Sequence, residues 1–170
     1  VSVGGVLEAP RRLGRGDSRS EFHSGAEELD DWLHRFAWQN QKADNAVTYV
    51  TVQDGQILGY YALATACIVK TDAPASIAKQ APREIPCILL ARLAVDRRAQ
   101  GLGIGAALLK DAMLRSLQVS EIVGARALLI HCRDEAAKSF YLANGDFVVS
   151  PVDDMQLLLS MKAIRNSPTA

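Results

Sequence analysis

The feature that most constrains the fold is the run Cys87-Ile-Leu-Leu-Ala-Arg-Leu-Ala-Val95, apolar at every position except Arg92. An apolar run without alternation is the pattern of a strand buried on both faces in the middle of a sheet. It leads into Gln100-Gly-Leu-Gly-Ile-Gly-Ala106, after which Ala106, Leu109, Met113 and Leu117 mark one face of a helix, and Ala125 to Cys132 reads as a second buried strand. A strand, glycine loop, helix, strand unit therefore organises the second half of the chain.

The elements around it fit one mixed α/β domain. Leu29, Trp32, Leu33, Phe36 and Ala37 recur at helical spacing, which predicts a helix from about Ala26 to Lys42 with Ser24 as its cap. Ala46–Val52, the turn pair Asp54-Gly55 and Ile57–Val69 read as a hairpin. A loop with Pro74, Pro82 and Pro86 precedes the central strand; Asp134 can cap a helix through Tyr141, Gly145 can end it, and Phe147–Val149 with Met155–Met161 suggest a closing strand pair. The expected layout is an N-terminal segment, 1–21, the least readable part, in which an extended stretch around Val3 to Glu8 is the candidate first strand. A domain over 22–164 and a frayed tail, 165–170, complete it.

Composition closes off several function classes. The 170 residues, 49% of them hydrophobic, suffice for one sizeable core, and 19 basic against 19 acidic side chains leave no net charge, so contact with nucleic acid needs a local basic patch. Cys67, Cys87 and Cys132 are odd in number and set among apolar residues, as expected of small buried hydrophobes in a reducing compartment; no metal site is expected. With no apolar run of roughly 18 residues and no signal core, the expectation is a soluble cytoplasmic protein that makes no use of a membrane.

Glycines at a strand-to-helix junction let backbone N–H groups converge on a phosphate at the positive end of the helix, although a flexible turn would look the same in isolation. A P-loop is excluded, because Gly105 is followed by Ala106-Ala107 rather than Lys-Ser or Lys-Thr, and the spacing is not the G-x-G-x-x-G of a dinucleotide site. What fits is Gln100-x-x-Gly103-x-Gly105, preceded by Leu93-Ala-Val-Asp96 and followed by an apolar helix. In this the chain resembles the GNAT acetyltransferases, and Asp134-Glu-Ala-Ala-Lys-Ser-Phe-Tyr141 is similar to that family's tyrosine helix.

The resemblance implies a single-domain GNAT fold, with a mixed, mostly antiparallel central sheet flanked by helices, and acetyl-CoA as the donor. Leu93, Ala94 and Val95 would lie along the pantetheine arm, and Gln100, Gly101, Leu102, Gly103, Ile104, Gly105 and Ala106 would hold the pyrophosphate. Ala137 and Phe140 would border the cofactor, with Tyr141 facing the thioester sulfur as the catalytic residue. Phe22-His-Ser-Gly, Leu29-Asp-Asp-Trp-Leu33, Ala37-Trp-Gln-Asn-Gln41 and Gly59-Tyr-Tyr-Ala-Leu-Ala-Thr65 resemble, more narrowly, the TacT-like GNAT toxins of toxin–antitoxin pairs. That implies acetylation of the α-amino group of aminoacyl-tRNA, a ribbon-helix-helix antitoxin and a homodimer. A GNAT enzyme of a small amine, polyamine or protein N-terminus is the competing reading, and a module that binds coenzyme A without turnover the non-enzymatic one. The chain departs from the pattern at Gly145-Asp146-Phe147, one residue longer than the usual Gly-Phe, and in its first twenty residues, which do not read clearly as the family's first strand.

Acetyl transfer needs a neutral amine and a proton for the departing thiolate. A lysine amine, near pKa 10.4, is mostly charged at neutral pH, whereas an α-amino group near 7.7–8.0 is substantially neutral, so an aminoacyl ester needs no dedicated base. Neither Glu84, in the proline loop, nor Asp96, at a strand end where turn formation is the ordinary role, is an obvious base. His131 and Cys132 are adjacent in a strand and point to opposite faces, so they read as structural. Trp32 and Phe36 share the apolar helix face and read as core, leaving Trp38 off it. For tRNA the basic candidates are Arg92, Arg97, Arg98, Arg83, Lys79, Arg35 and Lys42, together with Arg133. Arg92 leads them, because an arginine inside an apolar strand needs a partner or a cleft.

Overall fold

The hairpin is set by its turn. Asp54 and Gly55 adopt φ of 52° and 75°, the pair of positive angles that lets a two-residue turn follow the twist of its strands. They join β2 (Val47–Gln53) to β3 (Gln56–Val69), antiparallel from Val47↔Leu63 to Gln53↔Gln56 with one irregularity between Thr51 and Val52. The structure, a computed structural model, describes residues 5–167. Its first strand is later and shorter than expected: β1 is Arg11–Arg12, paired with Tyr49 and Val50. Of the anticipated stretch, Val3 and Gly4 lie outside the described residues. Gly5 to Glu8 runs beside β2 through side chains and one amide, with the Glu8 N–H donating to the Val52 carbonyl (2.8 Å) and the Gln53 amide to the Gly5 carbonyl (2.5 Å).

β4 (Glu84–Val95), β5 (Ala127–His131), β6 (Val148–Val149) and β7 (Gln156–Ser160) complete a sheet ordered β1-β2-β3-β4-β5-β7-β6. β4 and β5 are parallel from Cys87↔Ala127 to Leu90↔Ile130, while β5–β7 and β6–β7 are antiparallel. The chain divides into two compact units, one of residues up to Ala64 with Ala91–Asp111, the other of Thr65–Leu90 with Ala112 onward.

In the first unit the helical region is α1 (Glu27–Asp31), a π turn (Trp32–Phe36) and α2 (Ala37–Lys42). The extra residue per turn rotates the apolar face. Phe36, expected in the core, is 41% exposed, while Trp38 joins Leu29 and Trp32 against a core of Leu13, Phe22, Leu33, Ala37, Val50, Val52, Ile57, Tyr60 and Ala94. Ser24 is not the cap. Its N–H and hydroxyl both donate to the buried Asp30 carboxylate (2.9 and 2.6 Å), and Ala26 takes the cap position without a side-chain acceptor.

In the second unit Ile68, Ile77, Ile85, Cys87, Ala127, Leu129 and Leu158 form the core. The proline loop contains α3 (Ala75–Ala78), and α6 (Met161–Arg165) begins where the last strand was expected to end, capped by Ser160, which accepts from the Ala163 N–H (3.0 Å). Cys87 and Cys132 are buried, but Cys67 is exposed, contrary to expectation, because strand alternation turns it outward beside the buried Ile68. The long helix α4 (Ile104–Val123) buries Leu109, as anticipated, together with Leu108, Ala112 and Ser116, while the anticipated Ala106, Met113 and Leu117 are each covered only in part.

Candidate active site

The glycine loop is held by its preceding residue pair. Asp96, only 1% exposed, directly follows β4 and accepts from the Arg98 guanidinium (2.8 and 3.2 Å), the Arg98 N–H (2.8 Å) and the His23 N–H (3.0 Å). Burial pushes its carboxyl up, but the Arg98 side chain and the two amides outweigh this and hold it below the usual carboxylate range. The Arg97 N–H returns a bond to the His23 carbonyl (2.8 Å). The Gln100 amide donates to the carbonyls of Ser24 (2.7 Å) and Val95 (2.9 Å). Gln100 therefore ties Phe22-His-Ser-Gly to the loop with its side chain.

Gly101 and Gly103 have φ of 77° and 82°, and nothing lies within 4 Å of where a Cβ would stand on either. Their backbone is left-handed and open on that side, as a loop that cradles a phosphate requires. The third glycine differs from expectation: Gly105 is inside the first turn of α4, which starts at Ile104, and the Ala107 N–H closes on the Gly103 carbonyl (3.1 Å). The N–H groups of Ile104, Gly105 and Ala106 are thus first-turn donors without intrahelical acceptors, at the positive end of a 20-residue helix. Leu102 is exposed. The Asp96 N–H bonds the Leu58 carbonyl on β3, so Ala94 faces that strand too, and the backbone groups of Leu93 and Val95 point to the opposite edge of β4. The Val95 carbonyl is taken by Gln100.

In the second unit α5 (Glu135–Asn144) carries Tyr141. Asp134 caps it as expected, accepting from the Ala137 N–H (2.8 Å), so Ala137 can offer a ligand its methyl group and not its amide. Tyr141 is 7% exposed and stands edge-on to Phe140 (5.3 Å, 68°) and Phe147 (6.2 Å, 63°). Burial, with a smaller contribution from Cys132, raises its phenol well above the usual value, which favours the protonated form. Gly145 sits against Phe147 and the Met113 methyl, both 2.7 Å from an added Cβ, which leaves no space for a side chain there. His131 is exposed and Cys132 buried, and no group of three or more metal-ligating side chains occurs among the described residues.

The basic candidates are divided. Arg35, Lys42, Arg92, Arg97 and Arg98 fall in the first unit, Lys79 and Arg83 in the second. Arg98 is engaged by Asp96 and Arg133 by Asp134 (2.8 Å). Arg97 is exposed and lines a cavity of about 300 Å³ with His23, Gly25, Glu27, Asp30, Asp31 and His34. Arg35 lies over Phe36, 5.7 Å from its ring centre. Arg92 is half-buried with its guanidinium carbon 4.0 Å from the centre of the Trp32 ring, a stack worth about 0.5–2 kcal/mol. Sequence reasoning placed Asp96 in a turn, where its carboxylate does accept from the Arg98 N–H, but missed its bonds to His23 and the Arg98 side chain, the tie from Gln100 and the platform at Trp32. Only the polarity of Asp96 at the end of an apolar strand hinted at them.

A family model described as an acetyltransferase (GNAT) domain matches residues 44–145, more than half of the chain. The chain belongs to the GNAT acetyltransferase family. Its GNAT fold is the single-domain α/β type, with a mixed, mostly antiparallel sheet flanked by helices. Among GNAT proteins, the tRNA-acetylating toxin of Mycobacterium tuberculosis is 41% identical over 157 residues, 92% of this chain and 94% of its own length. The solved structure of AtaT complexed with acetyl-methionyl-tRNAfMet matches with a TM-score of 0.86 at 28% identity, covering 94% of this chain and 98% of that one. A tyrosine-to-phenylalanine variant of AtaT, bound to acetyl-CoA and the C-terminus of its antitoxin AtaR, matches with a TM-score of 0.80 at 27% identity, over 94% of this chain and 96% of that one. No helix among the described residues is long and apolar enough to cross a membrane.

Proposed function

We propose that this chain is an acetyl-CoA-dependent N-acetyltransferase toxin that acetylates the α-amino group of aminoacyl-tRNA, blocks translation and is neutralised by an antitoxin. The observation that carries the reading is its likeness, along nearly the whole chain, to a tRNA-acetylating toxin. Residues 22–164 form the transferase domain, and the ribbon-helix-helix character of the antitoxin, the homodimer and the cytoplasmic location follow the family resemblance and the location of charged tRNA.

The first-turn amides of α4 and the open left-handed glycines suit the pyrophosphate of coenzyme A. Leu93 and Val95 guide the pantetheine arm, and Ala137 and Phe140 pack beside it. The donor supplies an activated acetyl group. The substrate amine, neutral by its own pKa, forms the new C–N bond while the C–S bond breaks. Tyr141 gives the leaving sulfur its proton, and the proton lost by the amine balances it through solvent. Arg92, Arg97, Arg35 and Lys42, with Lys79 and Arg83, supply phosphate contacts to the RNA; Arg98 serves chiefly to hold Asp96.

The test is to incubate the protein with labelled acetyl-CoA and total charged tRNA. Label attached to RNA through a base-labile ester is expected. Label on small amines with none on charged tRNA would replace this reading with that of a small-amine acetyltransferase.

A further inference from the structure

Two half-buried side chains, Arg92 and Trp32, sharpen where on the RNA such a phosphate contact falls. Arg92 projects from an apolar strand, stacks on Trp32, and has no hydrogen-bond or ion-pair partner among the described residues. The Trp32 indole N–H is buried and equally without an acceptor. Two carboxylates of the same unit are already engaged: Asp96 by Arg98 and two amides, Asp30 by the N–H and hydroxyl of Ser24. A cation and a neutral donor thus stand together with N–H groups that no group among the described residues accepts. Stacking uses the flat face of the guanidinium and leaves its N–H groups, which lie in the plane, able to donate. That fork matches two oxygens of one phosphate, and the ring beneath it limits the freedom lost on binding.

We propose that Arg92 and Trp32 form a phosphate subsite for the 3′ end of the RNA acceptor. The inference rests on the RNA reading above: an aminoacyl ester has no free carboxylate, so the anions offered by that end of the substrate are its phosphodiesters. Coenzyme A also carries phosphates, and the experiment separates the two sources.

The probe is an uncharged, fluorescently labelled RNA minihelix with a single-stranded CCA end, titrated with the full chain over a range of salt. Arg92→Gln is expected to weaken binding about tenfold and to flatten the slope of log affinity against log salt by about 0.7, the value for one phosphate on a single strand. Arg92→Lys keeps the slope but not the affinity, because a point charge lacks the fork. Trp32→Phe keeps the ring and loses the N–H, and weakens binding less. Acetyl-CoA affinity, measured by calorimetry, stays as in the wild type for all three. Minihelix binding and salt slope unchanged in Arg92→Gln, or a loss confined to acetyl-CoA, would overturn the subsite. Should Arg92→Gln fail to fold, Arg92→Lys with wild-type affinity would overturn it too. Because binding is read without turnover, failure of the wild type to acetylate charged tRNA counts against the proposed function alone.

Discussion

The glycine loop of the first unit and the Tyr141 helix of the second solve opposite problems. In the proposed function the loop has to offer unpaired N–H groups to an anion without collapsing, and it is braced by polar ties: Asp96 to Arg98 and His23, Gln100 to Ser24 and Val95. As the proposed acid, Tyr141 has to keep one proton, and its aromatic setting of Phe140 and Phe147 disfavours the phenolate. One region is held by charge and the other protected from it. Polar substitutions should therefore injure the first and apolar ones the second.

The largest effect is expected at the tyrosine. Tyr141→Phe keeps the ring and its packing, so kcat falls about a hundredfold or more while acetyl-CoA affinity changes little; steady-state kinetics with parallel calorimetry separate the two. Equal turnover would remove Tyr141 from the chemistry. Next is Gly103→Val, which forces a branched residue to φ of 82° at a cost of about 1–3 kcal/mol and weakens acetyl-CoA binding about tenfold, with kcat at saturation far less changed.

What the sequence revealed divides along the same line. Asp54-Gly55, the apolar Cys87–Val95 and the cap at Asp134 are local signals, and each structure they predict is present. The bracing of the loop is not local: Gln100 reaches Ser24 and Asp96 reaches His23, and no spacing rule announces a bond across more than seventy residues. The π turn at Trp32–Phe36 was hidden because its residues still sit at helical intervals, yet it turns Phe36 outward and packs Trp38 inward. α3 and α6 are too short to show a period, and β1 is two exposed arginines.

Smaller effects sharpen the account of the loop. Asp96→Asn removes charge-assisted bonds and costs about 1–2 kcal/mol by denaturant unfolding, limited because Arg98 is half exposed and screened. Because the Asp96 carboxyl lies below its unfolded value, its stabilisation is complete above about pH 4 and is lost as the pH falls through the folded value, so the variant should show a shallower acid limb. An unaltered limb would mean that Asp96 is not the group that braces the loop. Gln100→Ala, losing two neutral bonds, costs about 1 kcal/mol, with a thermal shift reduced by saturating acetyl-CoA.

In the proposed mechanism the substrate amine is neutral on its own account and Tyr141 serves only as an acid. The most direct measurement is the single-turnover rate of acetyl transfer to aminoacyl-tRNA, with acetyl-CoA saturating, from about pH 5.5 to 9. A single rise is predicted, set by the amine at or below the α-amino range of about 7.7–8.0, and then a plateau, because the raised phenol of Tyr141 stays protonated throughout. A fall in rate before pH 9, or a second ionisation on the acid side belonging to an enzyme base, would contradict it.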